Sequence, residues 1–417
     1  MRLISCLWSA CSRWLPRLGL LALCTLPALP VQGIERRKPQ FQTEPAYLFV
    51  PFPYDLPGIG NGIAWTGLGA NLAGTHADLY GMVITGDAGG QIAGLEDVHL
   101  VPERLILSLF YQNINRATAR QYPTRGMQSS GDLYTLIEAS QADQAQAELR
   151  LTLSDRRYEF YVGSDVYKTA AVRMLDPNGV PIIEFAEPFR QTNERLYAGV
   201  LVDQTDDYAD PRRGVRLEIS ASRSRPATAD DPDFVVWNYS LNGYIPIGPI
   251  STLVLRYFQS DADMRRQGNT SPLAIAGDLG CSPLDPVCQA FIAQIVAEHT
   301  YGTSATLGGT DMLRSFPMSR FQGAHTVFYA AEFRWNITEE VTPFDYFIWK
   351  DVRTNVQLAF FAETGSVGET RSEVGGVYKS SYGMGLRMIS GSGFVYRADV
   401  ATGDEGGEAT IIFMYPF

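Results

Sequence analysis

The run Val356-Gln357-Leu358-Ala359-Phe360-Phe361-Ala362-Glu363 decides the fold, because a period of two sorts it into faces of different character. Val356, Leu358, Phe360 and Ala362 share one face; Gln357, Ala359, Phe361 and Glu363 share the other. Working outward, the same alternation returns on both sides. In 394–400, Phe394, Tyr396, Ala398 and Val400 oppose Val395, Arg397 and Asp399. In 235–242, Val235, Trp237, Tyr239 and Leu241 oppose Asn238, Ser240 and Asn242. In 215–222, Val215, Leu217 and Ile219 oppose Arg216, Glu218, Ser220 and Ser222, and in 104–112 Leu105, Leu107, Leu109 and Tyr111 oppose Arg104, Ser108 and Gln112. Clusters of Gly, Asp, Asn, Pro and Ser separate these segments, which is the strand-and-turn texture of an all-β chain.

A secreted β-sandwich would alternate too, so solvent is decided by the two faces. Aromatic side chains gather on the apolar faces near strand ends, as membrane girdles require, and the opposite faces carry charges of both signs. Such an interior is costly in a dry core and natural in a wet lumen. The final segment, Ala409 to Phe417, places Ile411, Phe413, Tyr415 and Phe417 on one face and stops on an aromatic. Phe413, Tyr415 and Phe417 thus resemble the terminal signal by which outer-membrane assembly machinery selects its clients. Length agrees: residues 47–417, at about 23 residues per strand with its share of turn, give roughly 16 antiparallel strands.

Before the strands lies a leader. Arg2, Arg13 and Arg17 precede an apolar run from Leu18 to Val31, with no acidic residue before Glu35, so residues 1–33 read as a signal peptide. Residues 34–46 read as a periplasmic tether and 47–417 as the outer-membrane barrel. Nothing after the leader reaches the ~18 consecutive apolar residues of a spanning helix. Cys281 and Cys288 are the two cysteines outside the leader and are expected to pair in an oxidising compartment. A formal charge of −11, or −14 once three leader arginines are removed, argues against a nucleic-acid partner.

Enzyme chemistry finds little support. There is no Gly-x-Ser-x-Gly elbow, Walker loop or His-Glu-x-x-His, and Gly67-Leu68-Gly69 is not continued into a dinucleotide fingerprint. His76, His99, His299 and His325 are scattered, so no catalytic residue, metal site or cofactor is expected.

Residues 262–325 break the alternation with the Cys pair, a helix-like stretch Val287 to Glu298, and a Gly-rich approach to Leu313. A segment of this length is functional or disordered. Five strands follow it, beginning near Val327, Val356, Tyr382, Phe394 and Ala409, and parity makes it an extracellular loop between strands 11 and 12.

This loop holds Gly308-Gly309-Thr310-Asp311-Met312-Leu313-Arg314-Ser315-Phe316-Pro317-Met318-Ser319-Arg320-Phe321-Gln322-Gly323. It resembles the BamA/TamA superfamily of outer-membrane proteins, the bacterial surface antigen family, whose sixth extracellular loop carries a Val-Arg-Gly-Phe or Tyr motif. Asp206-Asp207-Tyr208-Ala209-Asp210-Pro211-Arg212-Arg213-Gly214 is similar to that family's Asp-rich turn, and Phe361-Ala362-Glu363-Thr364-Gly365-Ser366-Val367 to its Phe-x-Asp-x-Gly-x-Val strand. Tyr382-Gly383-Met384-Gly385-Leu386-Arg387 and Tyr396-Arg397-Ala398-Asp399-Val400 resemble its last strands. The likeness covers about 200–417, with Ser315 where the motif has Gly and Glu363 where the strand has Asp.

The resemblance implies that Leu313, Arg314, Ser315 and Phe316 fold back into the lumen, where Arg314 meets the acidic Glu332 and Glu363 on the inner wall. It implies an outer-membrane location and the translocation or insertion of a protein or other substrate. It also implies outer-membrane lipid and the assembly machinery as partners. The family's periplasmic receiving modules have no counterpart in the dozen residues before strand 1, so a passive or gated pore on the same scaffold is the second reading and an outer-membrane hydrolase the third.

Overall fold

The computed structural model describes residues 40–41, 45–338, 344–346, 349–352, 354–390 and 395–413. The stretch read as a signal peptide, most of the stretch read as a tether, Phe394, Tyr415 and Phe417 lie outside the described residues.

Sixteen strands form one closed antiparallel barrel in sequence order. They are β1 (Ala46–Leu56), β2 (Gly60–Ala70), β3 (Asp78–Gly86), β4 (Gly89–Val101), β5 (Leu105–Gln121), β6 (Thr135–Leu153), β7 (Tyr158–Leu175) and β8 (Pro181–Asp203). Then come β9 (Gly214–Arg225), β10 (Asp233–Pro246), β11 (Ser251–Arg266), β12 (His325–Asn336), β13 (Thr354–Gly368), β14 (Lys379–Ser390), β15 (Val395–Gly403) and β16 (Gly406–Phe413). A short hairpin, Phe344–Tyr346 with Trp349–Val352, stands apart between β12 and β13. No helix among the described residues is long and apolar enough to cross a membrane.

The alternation works as the sequence predicts. Trp237, Tyr329, Phe360 and Val400 are exposed on the outer wall, while Asn242, Gln357, Glu363, Arg397 and Asp399 are buried inside. So much large apolar surface would be a liability in water, and it forms the lipid-facing belt of a barrel. Strands β5 to β8, of 17 to 23 residues, are about twice the ~9–11 a membrane strand needs and extend beyond the hydrocarbon.

The long loop runs from 267 to 324, since β11 continues to Arg266 instead of stopping before 262. Two helices open it, α1 (Pro272–Leu279) and α2 (Pro286–Tyr301). The second begins where Asp285 caps the backbone N–H groups of Val287 and Cys288 with Pro286 at its first position. Its span exceeds the predicted Val287 to Glu298 by one residue at the start and three at the end.

The interior departs from the expectation of a uniformly charged, wet lumen. It is charged and tightly filled against β12–β15. Against β2–β8 it is an apolar chamber of about 1130 Å³. The inner faces explain the split, because β3 and β4 present Tyr80, Met82, Ile84 and Ile92 where β12–β15 present Glu332, Arg334, Glu363, Arg387 and Arg397.

Candidate functional site: the loop held in the lumen

The tip of the long loop is a compact hairpin with its own hydrogen bonds. Leu307 pairs with Phe321, the Gly308 N–H donates to Met312 O at 2.9 Å, and the Gly309 N–H donates to Phe316 O at 2.9 Å. Leu313 adopts φ 54°, an uncommon conformation for a branched side chain, and Ser315 carries no such backbone. The turn therefore bends at Leu313, which is how Ser315 is accommodated where the motif has Gly. Strain at Leu313 persists because packing holds it. Leu307, Leu313, Phe316 and Phe321 are wholly buried against Phe258, Phe328 and Val367 of the wall.

Two glycines of the wall make room. A Cβ on Gly365 would meet Leu307 Cδ1 at 2.7 Å, and one on Gly403 would meet Ser315 Oγ at 2.3 Å. These are close approaches that a side chain would block.

Arg314, fully buried, directs each of its three guanidinium nitrogens to a carboxylate on a different strand. Its Nε donates to Glu363 Oε1 at 2.7 Å and its backbone N–H to Glu363 Oε2 at 2.8 Å. Nη1 donates to Asp399 Oδ2 at 2.8 Å and Nη2 to Glu332 Oε2 at 3.1 Å, with the Phe361 ring beneath the guanidinium. Burial alone would lower the pKa of this loop guanidinium; the carboxylates of Glu363, Glu332 and Asp399 outweigh it and raise the pKa, so Arg314 stays charged.

Further cations balance the acids. Arg387 grips both oxygens of Glu332, and Arg334 Nε donates to Glu332 Oε1 at 2.8 Å. Arg397 joins Asp399 Oδ2 at 2.7 Å to Asp311 Oδ1 of the loop at 2.9 Å. Four guanidiniums thus face four carboxylates, nearly all inaccessible to water. Such a cluster specifies an arrangement more than it adds stability, since desolvation consumes most of the attraction.

Sequence reasoning named Glu332 and Glu363 beside Arg314. It missed Asp399, Arg387, Arg334 and Arg397, although the two-face sorting had already put Arg397 and Asp399 on the inner side. What it lacked was the register that levels them with Arg314.

The other named residues fall as follows. Cys281 and Cys288 form a disulfide joining the end of α1 to the start of α2. Phe413 ends β16. The Asp-rich turn after β8 is organised by its carboxylates: Asp206 Oδ1 accepts from the N–H groups of Arg212 and Arg213, and Asp207 Oδ1 from those of Ala209 and Asp210. His76 stacks on His99 at 4.6 Å between ring centroids, and His325 Nδ1 lies 2.8 Å from Asp261 Oδ1.

The seam that closes the barrel pairs Asp55 of β1 with Ile411 of β16, and β1 aligns with β2 over eleven consecutive pairs. Parity sets which backbone groups of β1 face the seam. Asn61 O accepts from the Asp87 N–H, so odd residues of β2 face β3 and its even residues bond β1. In β1, paired with it in unbroken register, the odd residues therefore turn their backbone groups toward β16. Pro51 and Pro53 are both odd and lack an N–H, which removes two donors from the closing edge. Side chains cross instead: the Tyr396 hydroxyl donates to Pro53 O at 3.2 Å, and Phe52 lies against the Tyr396 ring. The loop reaches this place too, with the Met318 N–H donating to Pro57 O at 3.1 Å in the turn between β1 and β2.

Comparison with known proteins finds similar barrels. Residues 96–280 match the model of the Omp85 superfamily domain, a stretch that ends before the loop tip carrying Arg314. No protein of curated function matches the chain by sequence. Among solved structures, CdiB from Escherichia coli is similar at 10% identity and TM-score 0.50, over 91% of this chain and 68% of that one. BamA from Haemophilus ducreyi lacking POTRA domains 1-3 is similar at 14% identity and TM-score 0.48, over 89% of this chain and 70% of that one. CdiB from Acinetobacter baumannii is similar at 12% identity and TM-score 0.46, over 89% of this chain and 60% of that one. At these identities the likeness to CdiB from Escherichia coli speaks for the fold.

Proposed function

We propose that this chain, whose barrel is of the Omp85 superfamily, resides in a bacterial outer membrane and passes a substrate between lumen and bilayer through the seam of β1 and β16, with the Arg314 loop as its latch. The observation that carries this reading is the closing edge of β1, where Pro51 and Pro53 present no N–H toward β16. A backbone group without a partner inside hydrocarbon costs several kcal/mol, so an edge that lacks donors is the place where a barrel opens or accepts another strand.

The latch argument follows from connectivity. Arg314 anchors the loop to β12, β13 and β15, and the same loop touches the β1–β2 turn through Met318. Release of Arg314 removes a contact that steadies the hairpin beside the seam. The bilayer lipid is then a partner of the open state as well as the solvent of the outer wall, and the assembly machinery is a partner during biogenesis.

The test is a lock across the seam. Asp55→Cys with Ile411→Cys sets two thiols opposite each other at the recorded pair. In planar bilayers the native protein is expected to show a small conductance with transient large openings. The oxidised double variant is expected to lose the openings, and mild reduction to restore them. A steady wide conductance, identical with the lock closed and open, would overturn this reading in favour of a passive pore.

A further inference from the structure

We infer that the chamber beside the seam is a binding site for the acyl chains of a bilayer lipid. This assignment deepens the proposed function by naming a substrate class, and its route of entry rests on the seam reading.

Four observations support it. The first is lining: Met82, Ile84, Ile92, Ile114 and Met174 project into the space, so the lumen-facing wall of β3–β7 is apolar where a water-filled barrel would be polar. An apolar cavity stays dry and gains by taking up an apolar ligand. The second is size. About 1130 Å³ exceeds the ~300–1,000 Å³ typical of small-molecule sites, and suits long chains better than a compact metabolite.

The third is access. Phe52 and Tyr54 point inward from β1, while Pro53 and Tyr396 belong to the outward-facing set, and all four line the same space. The chamber therefore reaches the seam, beside the side where hydrocarbon lies. The fourth is the distribution of polar groups. Asp78 and Glu96 sit at the rim that carries the chain ends, and Arg120 and Gln121 at the opposite rim below α2. A headgroup can stay at a rim while its chains occupy the middle.

A polypeptide fits this space less well. Each of its residues brings an N–H and a C=O that must find partners. The wall strands already pair with one another, so a peptide in the chamber would leave those groups buried and unsatisfied.

The experiment uses the full chain in phosphatidylethanolamine and phosphatidylcholine vesicles that contain a phosphatidylcholine with a diazirine near the acyl terminus. After irradiation, labelled positions are mapped by mass spectrometry. Label is expected on inward Met82, Ile92 and Met174 as well as on outward Val83 and Leu109. Ala142→Trp with Ala171→Trp, which fills the chamber, is expected to cut inward label at least fivefold and leave outward label unchanged. Label confined to outward residues in the native protein would overturn the assignment, even if the seam lock still abolished the conductance openings.

The double-cysteine lock, closed before reconstitution, keeps the two readings separable. Loss of inward label on locking supports both; inward label that survives keeps the chamber and sinks the seam as its route. Should the tryptophan variant fail to fold, the distribution of label in the native protein decides the chamber and the cysteine lock decides its route.

Discussion

The wall of β12–β15 and the wall of β2–β8 are built on one alternation, yet their inner faces do opposite things. The first carries arginines and carboxylates that pin a loop, leaving almost no space; the second carries Ala, Ile, Met and Tyr and leaves a chamber of about 1130 Å³. The difference teaches that the outer face of a barrel strand is set by lipid, the same all the way round, whereas the inner face is set by whatever occupies the lumen at that angle. Where the loop sits, charges are satisfied by partners. Where none of the described residues sits, the wall is written for a hydrophobic guest.

The largest effect that would break this comparison is at Arg314. Arg314→Ala leaves the carboxylates of Glu332, Glu363 and Asp399 buried together, and loss of one partner of a buried charge set costs about 3–5 kcal/mol. Thermal unfolding should fall accordingly and protease should cut within 267–324. A loop that stays protected in the variant would mean that packing alone holds it. Arg314→Lys keeps the charge and loses the planar fork, so it should rescue only part of the effect.

Phe316→Ala comes next, at about 3–5 kcal/mol, because the ring is wholly buried against Phe321 and the wall. Unfolding in a denaturant series checks it, and the loop should loosen without change to the charge cluster.

A matched pair sharpens the contrast further. Ala330→Leu on the filled side adds volume to a packed cluster and should cost about 1–3 kcal/mol. Ala142→Leu on the chamber side grows into open space and should cost less than about 1 kcal/mol. Equal costs in thermal unfolding would mean that the chamber is not open.

The smallest expected effect is at the seam. Pro51→Val and Pro53→Val each return an N–H to the closing edge, and each added hydrogen bond should stabilise the junction by about 0.5–1.5 kcal/mol. The readout is the rate at which the Asp55→Cys and Ile411→Cys thiols oxidise: fewer openings of the junction should change it from that of the proline-bearing edge. An unchanged rate would show that the missing donors are not what lets the junction open.

Much of this architecture was legible from residue spacing. Strand faces, strand number and the identity of the long loop follow from a period of two and from one interruption of it. Glu332 and Glu363 were readable as inward because face assignment needs only local parity. Asp399 was equally inward but was not joined to Arg314, because parity gives a side of the wall and no height along it. Height is set by register across β13, β14 and β15, and each register depends on turns and on a bulky loop inserted between them. The chamber was missed for a related reason: an inward Met or Ile reads like any other apolar residue until it is known that no side chain from the far wall or the loop comes to meet it.

The amino-acid order by itself determined which face of each strand meets lipid, since alternation is local and a slip of one residue would turn every apolar side chain inward. It also determined that β1 lacks two donors, because proline carries that defect wherever it is placed, while the register decided that they face the closing edge. Only the tertiary structure decided which charges meet, where the loop lies and which part of the lumen stays open. Those depend on bringing residues 314, 332, 363 and 399 to one level and on closing β1 against β16, contacts between distant parts of the chain that exist only once the ring has formed.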